Sequence, residues 1–134
     1  MNSTISKNTC RVLKEILIVE DDIISFKYLW SLLKDTGFTV HHAKNGSETM
    51  LILAENKAIS VVLLDLHLPG TNGFDLVEEI KKRYPETIII GQSAHSFIMS
   101  ENGGLSLAFD DFIAKPVIKG TLFRKLGNFF SNFA

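Results

Sequence analysis

The chain carries the sequence SVVLLD at residues 60–65, in which four aliphatic residues run into an aspartate. A second run of the same kind, EILIVED, occupies residues 15–21 and ends in two acids. Strands that read as unbroken aliphatic runs are buried on both faces, which is typical of a parallel sheet covered by helices on both sides. These two runs therefore favour an α/β fold.

Amphipathic stretches alternate with short apolar runs along the rest of the chain. Further strands are predicted at residues 38–41, 87–93 and 111–114, and helices at residues 23–37, 47–56 and 74–84, from about Phe97, and at residues 122–133. A strand–helix unit thus occurs five times. Because crossovers between parallel strands are right-handed, this order predicts a doubly wound, three-layer sandwich with a five-stranded parallel sheet.

Composition limits what the chain can be. Its 134 residues are 46% hydrophobic and 22% charged, which fits one globular domain. We expect residues 1–13, which are mostly polar, to form a flexible leader or linker, and residues 14–134 to form the domain. The net charge of −1 indicates neither a nucleic-acid surface nor a membrane as the main partner. The single cysteine and the lack of an apolar signal segment predict a cytoplasmic protein.

Five polar residues end the predicted strands. They are Glu20 and Asp21 after strand one, Asp65 after strand three, Ser93 after strand four and Lys115 after strand five. The carboxyl ends of parallel strands meet at one edge of a sheet, so we expect these side chains to converge. Asp22 begins the following helix and should face solvent.

Three converging carboxylates repel one another, so either some take up protons or a cation lies among them. Oxygen ligands without cysteine or paired histidines suit a hard cation such as Mg²⁺ or Mn²⁺. Asp65 is then a candidate nucleophile towards phosphorus, and Lys115 and Ser93 would meet the phosphoryl oxygens opposite the metal. Each residue alone has an ordinary explanation as a helix cap or a solvated side chain, and only the joint pattern is specific.

Three segments resemble the signature sequences of bacterial two-component response-regulator receiver domains. They are ILIVEDD at 16–22, VLLDLHLPGTNG at 62–73 and DDFIAKP at 110–116, and the likeness extends over about residues 15–133. The resemblance implies a flavodoxin-like (βα)5 sandwich with strand order 2-1-3-4-5. It also implies a phosphoacceptor switch and not an enzyme.

The resemblance also assigns roles to the residues at the strand ends. Asp65 corresponds to the phosphoacceptor, Glu20 and Asp21 to the acidic pair, and Asp21, Asp65 and the backbone carbonyl of His67 to the metal ligands. Ser93 and Phe112 correspond to the switch pair. Lys115 corresponds to the invariant lysine, followed by Pro116 after a cis peptide bond.

Two features depart from the family pattern. Gly91 and Gln92 interrupt strand four where members are usually apolar, and Ala108 stands where many have glycine. A buried Gln92 needs a hydrogen-bond partner or solvent.

By the same resemblance the phosphodonor is a histidine kinase or a histidine phosphotransfer protein. The face made by the fourth predicted helix, the fifth strand and the last helix would bind an effector or a second copy of the chain. The last helix has six apolar positions over twelve residues, more than one helix stripe holds, so some of its phenylalanines are expected to be exposed. The chain is either a stand-alone regulator or the receiver of a hybrid histidine kinase.

Other functions are compatible with parts of the pattern. A haloacid-dehalogenase-like phosphatase has a second aspartate two residues after its nucleophile, where this chain has His67. A flavodoxin-like cofactor binder would meet repulsion from Glu20, Asp21 and Asp22 at its phosphate loop. A degenerate receiver that only binds a partner would not need the full acidic, serine and lysine set.

The chain has four histidines. His67 and His95 are interpreted as solvated loop residues, with control of water access to an acyl phosphate as the alternative. Adjacent residues of a strand point to opposite faces, so no site is predicted at His41 and His42.

Overall fold

A single sheet of five strands organises the molecule. The structure is a computed structural model that describes residues 11–94 and 108–133. The strands are β1 (Glu15–Val19), β2 (Thr39–Ala43), β3 (Ile59–Asp65), β4 (Ile88–Ser93) and β5 (Asp111–Ala114). All pairings are parallel, and the strand order is β2-β1-β3-β4-β5. The predicted order is confirmed.

Four α-helices lie within the described residues. They are α1 (Ile23–Leu33), α2 (Gly46–Glu55), α3 (Gly73–Arg83) and α4 (Lys119–Gly127). The helix predicted to begin near Phe97 falls outside the described residues. Within the described ranges, none of the helices is long and apolar enough to cross a membrane.

Alternate residues of the strands face two separate apolar cores. One core joins β1, β3 and β4 to α1 and α4 through Ile16, Ile18, Val61, Leu63, Ile88, Ile90, Leu29, Leu33, Leu122 and Leu126. The other joins the opposite face to α2 and α3 through Leu17, Val19, Val62, Leu64, Ile89, Leu53, Leu76, Val77 and Ile80. Burying a large aliphatic side chain contributes about 1.5–3 kcal/mol, so the two-sided strands dominate stability. The predicted three layers are confirmed.

Short polar side chains start three of the helices. Asp22, Asn45 and Asn72 are the N-caps of α1, α2 and α3, and each side chain accepts a hydrogen bond from a backbone N–H of the first turn. Such a cap stabilises a helix by about 1 kcal/mol. Because β1 and β3 lead through short segments into capped helices, the acidic residues between strand and helix are held at one edge of the sheet.

The last helix is shorter than predicted. It ends at Gly127, where the N–H groups of Asn128 and Phe129 bond the carbonyls three residues back, which tightens the last turn. Phe130 is fully buried, and the ring of Phe133 lies 5.0 Å from that of Phe38. The expectation that some of these phenylalanines are exposed is wrong, because the turn after Gly127 folds them back onto the core.

The first described residues pack against the last ones. Leu13 is buried, its N–H bonds the Asn132 side-chain oxygen at 3.0 Å, and its carbonyl accepts from the Asn132 amide at 3.1 Å. The Arg11 carbonyl accepts from the Ser131 N–H at 2.8 Å. Residues 11–13, placed in the leader by sequence, are thus held by the C-terminal segment, and residues 1–10 fall outside the described part of the chain.

Candidate functional site

Three carboxylates converge at the carboxyl edge of the sheet. Glu20 and Asp21 follow β1 and Asp65 ends β3, and one carboxylate oxygen from each lies within 4.8 Å of the others. Glu20 and Asp65 are 2% and 3% exposed, whereas Asp21 is exposed. The predicted convergence of these three residues is confirmed. In the described ranges this is the one cluster of its kind.

Lys115 places a cation beside the two buried acids. Its Nζ lies 3.0 Å from Asp65 Oδ1 and 3.8 Å from Glu20 Oε1. The Lys115–Pro116 peptide bond is cis, as expected, and the Lys115 N–H donates to the Ser93 carbonyl at 2.9 Å. Backbone pairing of β4 with the end of β5 therefore fixes the stem of the lysine next to Asp65.

Burial and charge act most strongly on Glu20. Desolvation of its carboxylate, and then repulsion from Asp65, raise the pKa of Glu20 from 4.5 to about 7, against the opposing effects of the Asp22 N–H and Lys115. Near neutral pH the cluster therefore holds a proton on Glu20 part of the time, or a cation that replaces it. Both outcomes were expected from the crowding of three acids.

Backbone groups orient two of the carboxylates. The His67 N–H donates to Asp65 Oδ1 at 2.9 Å, and the Asp22 N–H donates to Glu20 Oε2 at 3.3 Å. The Asp22 side chain itself turns away to solvent and accepts from the Ser25 N–H and hydroxyl, which lowers the pKa of Asp22. The prediction that Asp22 lies outside the cluster is confirmed.

The donor set suits a hard divalent cation. Glu20, Asp21 and Asp65 offer only oxygen ligands, and the buried Glu20 Oε1 has no hydrogen-bond partner among the described residues. Mg²⁺ binds through one or two carboxylates and keeps several waters, which this half-open cluster allows. The backbone carbonyl of His67 stays a predicted ligand.

Both predicted switch residues are buried. Ser93 ends β4 and is fully buried, and Phe112 on β5 is 7% exposed. The Phe112 ring centroid lies 4.7 Å from that of Phe109. A Cβ added at Gly91 would lie 2.9 Å from Phe112 Cδ1 and 3.0 Å from Phe109 Cε1, so this departure from the family pattern makes room for the two rings.

His42 contacts the acidic segment, which the sequence pattern does not predict. Its Nε2 lies 2.7 Å from the Glu20 carbonyl oxygen, and its ring stacks on Phe26 of α1 with centroids 3.8 Å apart. His42 pairs with Ile18 across β2 and β1, two residues before Glu20. Adjacency to His41 argued against a metal site, and only the strand register could have placed His42 beside the acidic segment.

Two further residues, Gln92 and Tyr28, line a cavity together with Glu20 of the cluster. Gln92 of β4 pairs in register with Asp65, is 1% exposed, and its Nε2 lacks a hydrogen-bond partner in the described part of the chain. The Tyr28 hydroxyl of α1 donates to the Val117 carbonyl and ties α1 to the segment after Pro116. His95 falls outside the described residues.

Comparison with known proteins agrees with this geometry. Residues 16–126 match the response regulator receiver domain family. The chain is 37% identical over 104 residues to a putative NtrX-like response regulator of Rickettsia bellii, covering 76% of this chain and 22% of that protein. It is 37% identical over 102 residues to the probable transcriptional regulatory protein SilR of Salmonella typhimurium, covering 76% and 44%.

Solved structures show the same fold. The receiver domain of the TMAO respiratory system response regulator TorR superposes with a TM-score of 0.76 at 28% identity, covering 86% of this chain and 94% of that one. The chain spans less than half the length of the two curated relatives, so what their remaining parts do is not carried over. The family match over most of the sequence, together with the acidic cluster and its lysine, shows that the chain belongs to the response regulator receiver domain family.

Proposed function

We propose that the domain is a phosphoacceptor switch in which Asp65 takes a phosphoryl group with the help of Mg²⁺ or Mn²⁺. The observation that carries the proposal is the position of Lys115 Nζ, 3.0 Å from the buried Asp65 carboxylate at the strand edge. A cation at this distance neutralises charge where phosphoryl oxygens would collect, which is most of what phosphoryl transfer requires.

The reaction is a displacement at phosphorus. An Asp65 carboxylate oxygen attacks the phosphorus of a phosphohistidine, the P–N bond breaks, and the imidazole nitrogen leaves with the electron pair and takes up a proton. Lys115 binds a phosphoryl oxygen, and the Ser93 hydroxyl binds another. Glu20, Asp21 and Asp65 would hold the divalent cation, which offsets the negative charge gathered on the phosphoryl group and the acids.

We infer the partners from membership of the receiver domain family. The phosphodonor is a histidine kinase or a histidine phosphotransfer protein, and the chain acts as a phosphoacceptor with self-catalysed dephosphorylation, not as a phosphatase. The cytoplasmic location expected from the sequence stays a prediction, and a flexible leader stays a prediction only for the residues before Arg11.

The output surface is proposed to include β5 and α4, together with the helix predicted from about Phe97. On phosphorylation Ser93 gains a new acceptor, moves towards Asp65, and Phe112 responds. Crystal structures of the free and beryllofluoride-bound protein test this coupling. We expect changed positions of both side chains, and identical rotamers in the two structures would exclude a switch through this pair.

Acceptor identity is tested by intact mass after incubation with phosphoramidate and Mg²⁺. A single phosphoryl adduct is expected in the wild type and none in Asp65→Asn. Asp75→Asn, on the exposed start of α3, is the matched control and should keep the adduct. A phosphoryl adduct on Asp65→Asn would show that Asp65 is not the phosphoacceptor. A wild type that takes no phosphoryl group from any donor favours the degenerate, binding-only receiver instead.

A further inference from the structure

Two buried polar atoms lack hydrogen-bond partners in the described part of the chain, and both belong to residues that line one cavity. They are Gln92 Nε2 and Glu20 Oε1. Their residues are 1% and 2% exposed. Leaving a buried donor or acceptor unpaired costs about 1–3 kcal/mol, so two such atoms on the wall of one cavity call for a physical explanation.

Both residues line the same cavity. Its volume is about 210 Å³, and its remaining walls come from Ile24, Ser25, Tyr28 and Leu29 of α1 and from Lys115, Pro116 and Val117. One unpaired atom is an amide donor and the other a carboxylate acceptor, and Lys115 Nζ lies 3.8 Å from the same carboxylate oxygen. A water molecule takes about 30 Å³ and needs two to four polar partners, so the cavity has room for several waters and its polar wall offers partners for one between Gln92 and Glu20.

The strand register explains why Gln92 faces the cavity that Glu20 also lines. Ile88 and Ile90 of β4 belong to the core under α1 and α4, and Gln92 is the next residue on that face. It pairs with Asp65 of β3, the strand between β4 and β1. An apolar residue at position 92, as the family usually has, would offer Glu20 no hydrogen-bond donor.

We propose that Gln92 is a positioning residue for Glu20, acting through a water that accepts a hydrogen bond from Gln92 Nε2 and donates one to Glu20 Oε1. The other Glu20 oxygen is already held by the Asp22 N–H. Fixing both carboxylate oxygens of Glu20 sets the orientation in which the acidic pair faces a bound cation. The inference rests on the proposed function, because it concerns the metal site of that function.

Metal affinity and stability separate this role from a purely structural one. Gln92→Met keeps the length and the approximate volume but removes the donor. We expect about tenfold weaker Mg²⁺ binding by calorimetry, which is the lower end of the loss seen when a group that orients a metal ligand is removed. The melting temperature in chelator should change little, because the small net contribution of the lost hydrogen bond to water is offset by burying an apolar side chain in place of an amide.

Ile90→Val is the matched control, since it shortens a buried residue two positions back on the same face of β4. It should lower the melting temperature and leave Mg²⁺ affinity unchanged. If Gln92→Met binds Mg²⁺ as tightly as the wild type, the positioning role is overturned while the proposed function stands. If the wild type itself binds no Mg²⁺, the proposed function fails first.

A high-resolution crystal structure of the wild type supplies a second test, which does not depend on the folding of a variant. An electron-density peak within hydrogen-bond distance of both Gln92 Nε2 and Glu20 Oε1 supports the proposal. A cavity without ordered water at that point overturns it.

Discussion

The Nε2 atom of His42 lies 2.7 Å from the backbone carbonyl oxygen of Glu20. A carbonyl can only accept, so this nitrogen carries the proton and donates. The same ring stacks on Phe26 at 3.8 Å, so one imidazole joins β2, α1 and the segment that carries the acidic pair. His42 therefore holds the backbone of a predicted metal-binding residue.

Replacing His42 tests whether this hydrogen bond matters for the acidic pair. His42→Phe keeps a ring to stack on Phe26 but removes the donor. We expect the free energy of unfolding to fall by about 1–3 kcal/mol and Mg²⁺ binding to weaken, because the Glu20 carbonyl loses its partner. Urea denaturation in chelator and calorimetric Mg²⁺ titration measure the two effects.

His42→Gln is the matched variant, because its amide can donate from nearly the same point while losing the stack. It should bind Mg²⁺ more tightly than His42→Phe. Equal Mg²⁺ affinity in the wild type and His42→Phe would show that the hydrogen bond does not position the acidic segment.

The pKa of Glu20 predicts how stability depends on pH in the absence of metal. It is raised from 4.5 to about 7, so the folded protein binds this proton more tightly than the unfolded chain does. The resulting stabilisation is fully present below about pH 4.5 and is lost as the pH rises through 7. In chelator, we expect the free energy of unfolding to decrease by on the order of 1 to 3 kcal/mol across this range from this group.

Glu20→Gln should remove that part of the pH dependence, because its side chain stays neutral at every pH. Glu78→Gln, on the exposed face of α3, should keep the wild-type profile. Urea denaturation at pH 5 and pH 8 provides the comparison. If Glu20→Gln loses as much stability between these two pH values as the wild type, Glu20 is not the group responsible.

We predict that alanine at position 91 destabilises the protein because its Cβ clashes with two aromatic rings. The added Cβ would lie 2.9 Å from Phe112 Cδ1 and 3.0 Å from Phe109 Cε1, closer than carbon atoms tolerate. Gly91→Ala should therefore displace the Phe112 ring and lower the free energy of unfolding by about 1–3 kcal/mol. Gly120→Ala, where a Cβ meets nothing within 4 Å, should be neutral or stabilising. Thermal melts of the two variants would contradict the packing argument if they coincide.

The layers of this fold were predictable because aliphatic runs and helical spacing depend on nearest neighbours in sequence. Convergence of Glu20, Asp21 and Asp65 was predictable too, since parallel strands end at one edge. The end of α4 was not, because the turn at Gly127 returns Phe130 and Phe133 to the core through contacts with residues far away in sequence. The role of His42 depends on which residue of β1 lies opposite it, and a period-two pattern does not distinguish registers that differ by two residues.

The contact between Lys115 and Asp65 predicts that phosphorylation and metal binding can be separated by one substitution. Lys115→Met keeps most of the side-chain length but removes the charge 3.0 Å from Asp65 Oδ1. Without this cation the phosphoryl oxygens lose a neutralising partner, so the initial rate of phosphorylation by phosphoramidate should fall by roughly a hundredfold or more. Mg²⁺ affinity should hold or rise, because a competing positive charge has left the three carboxylates.

Lys119→Met, on the exposed first turn of α4, is the control and should change neither quantity. Intact-mass time courses and calorimetry decide the outcome, and equal loss of rate and of Mg²⁺ binding in Lys115→Met would indicate that the lysine only supports the local structure.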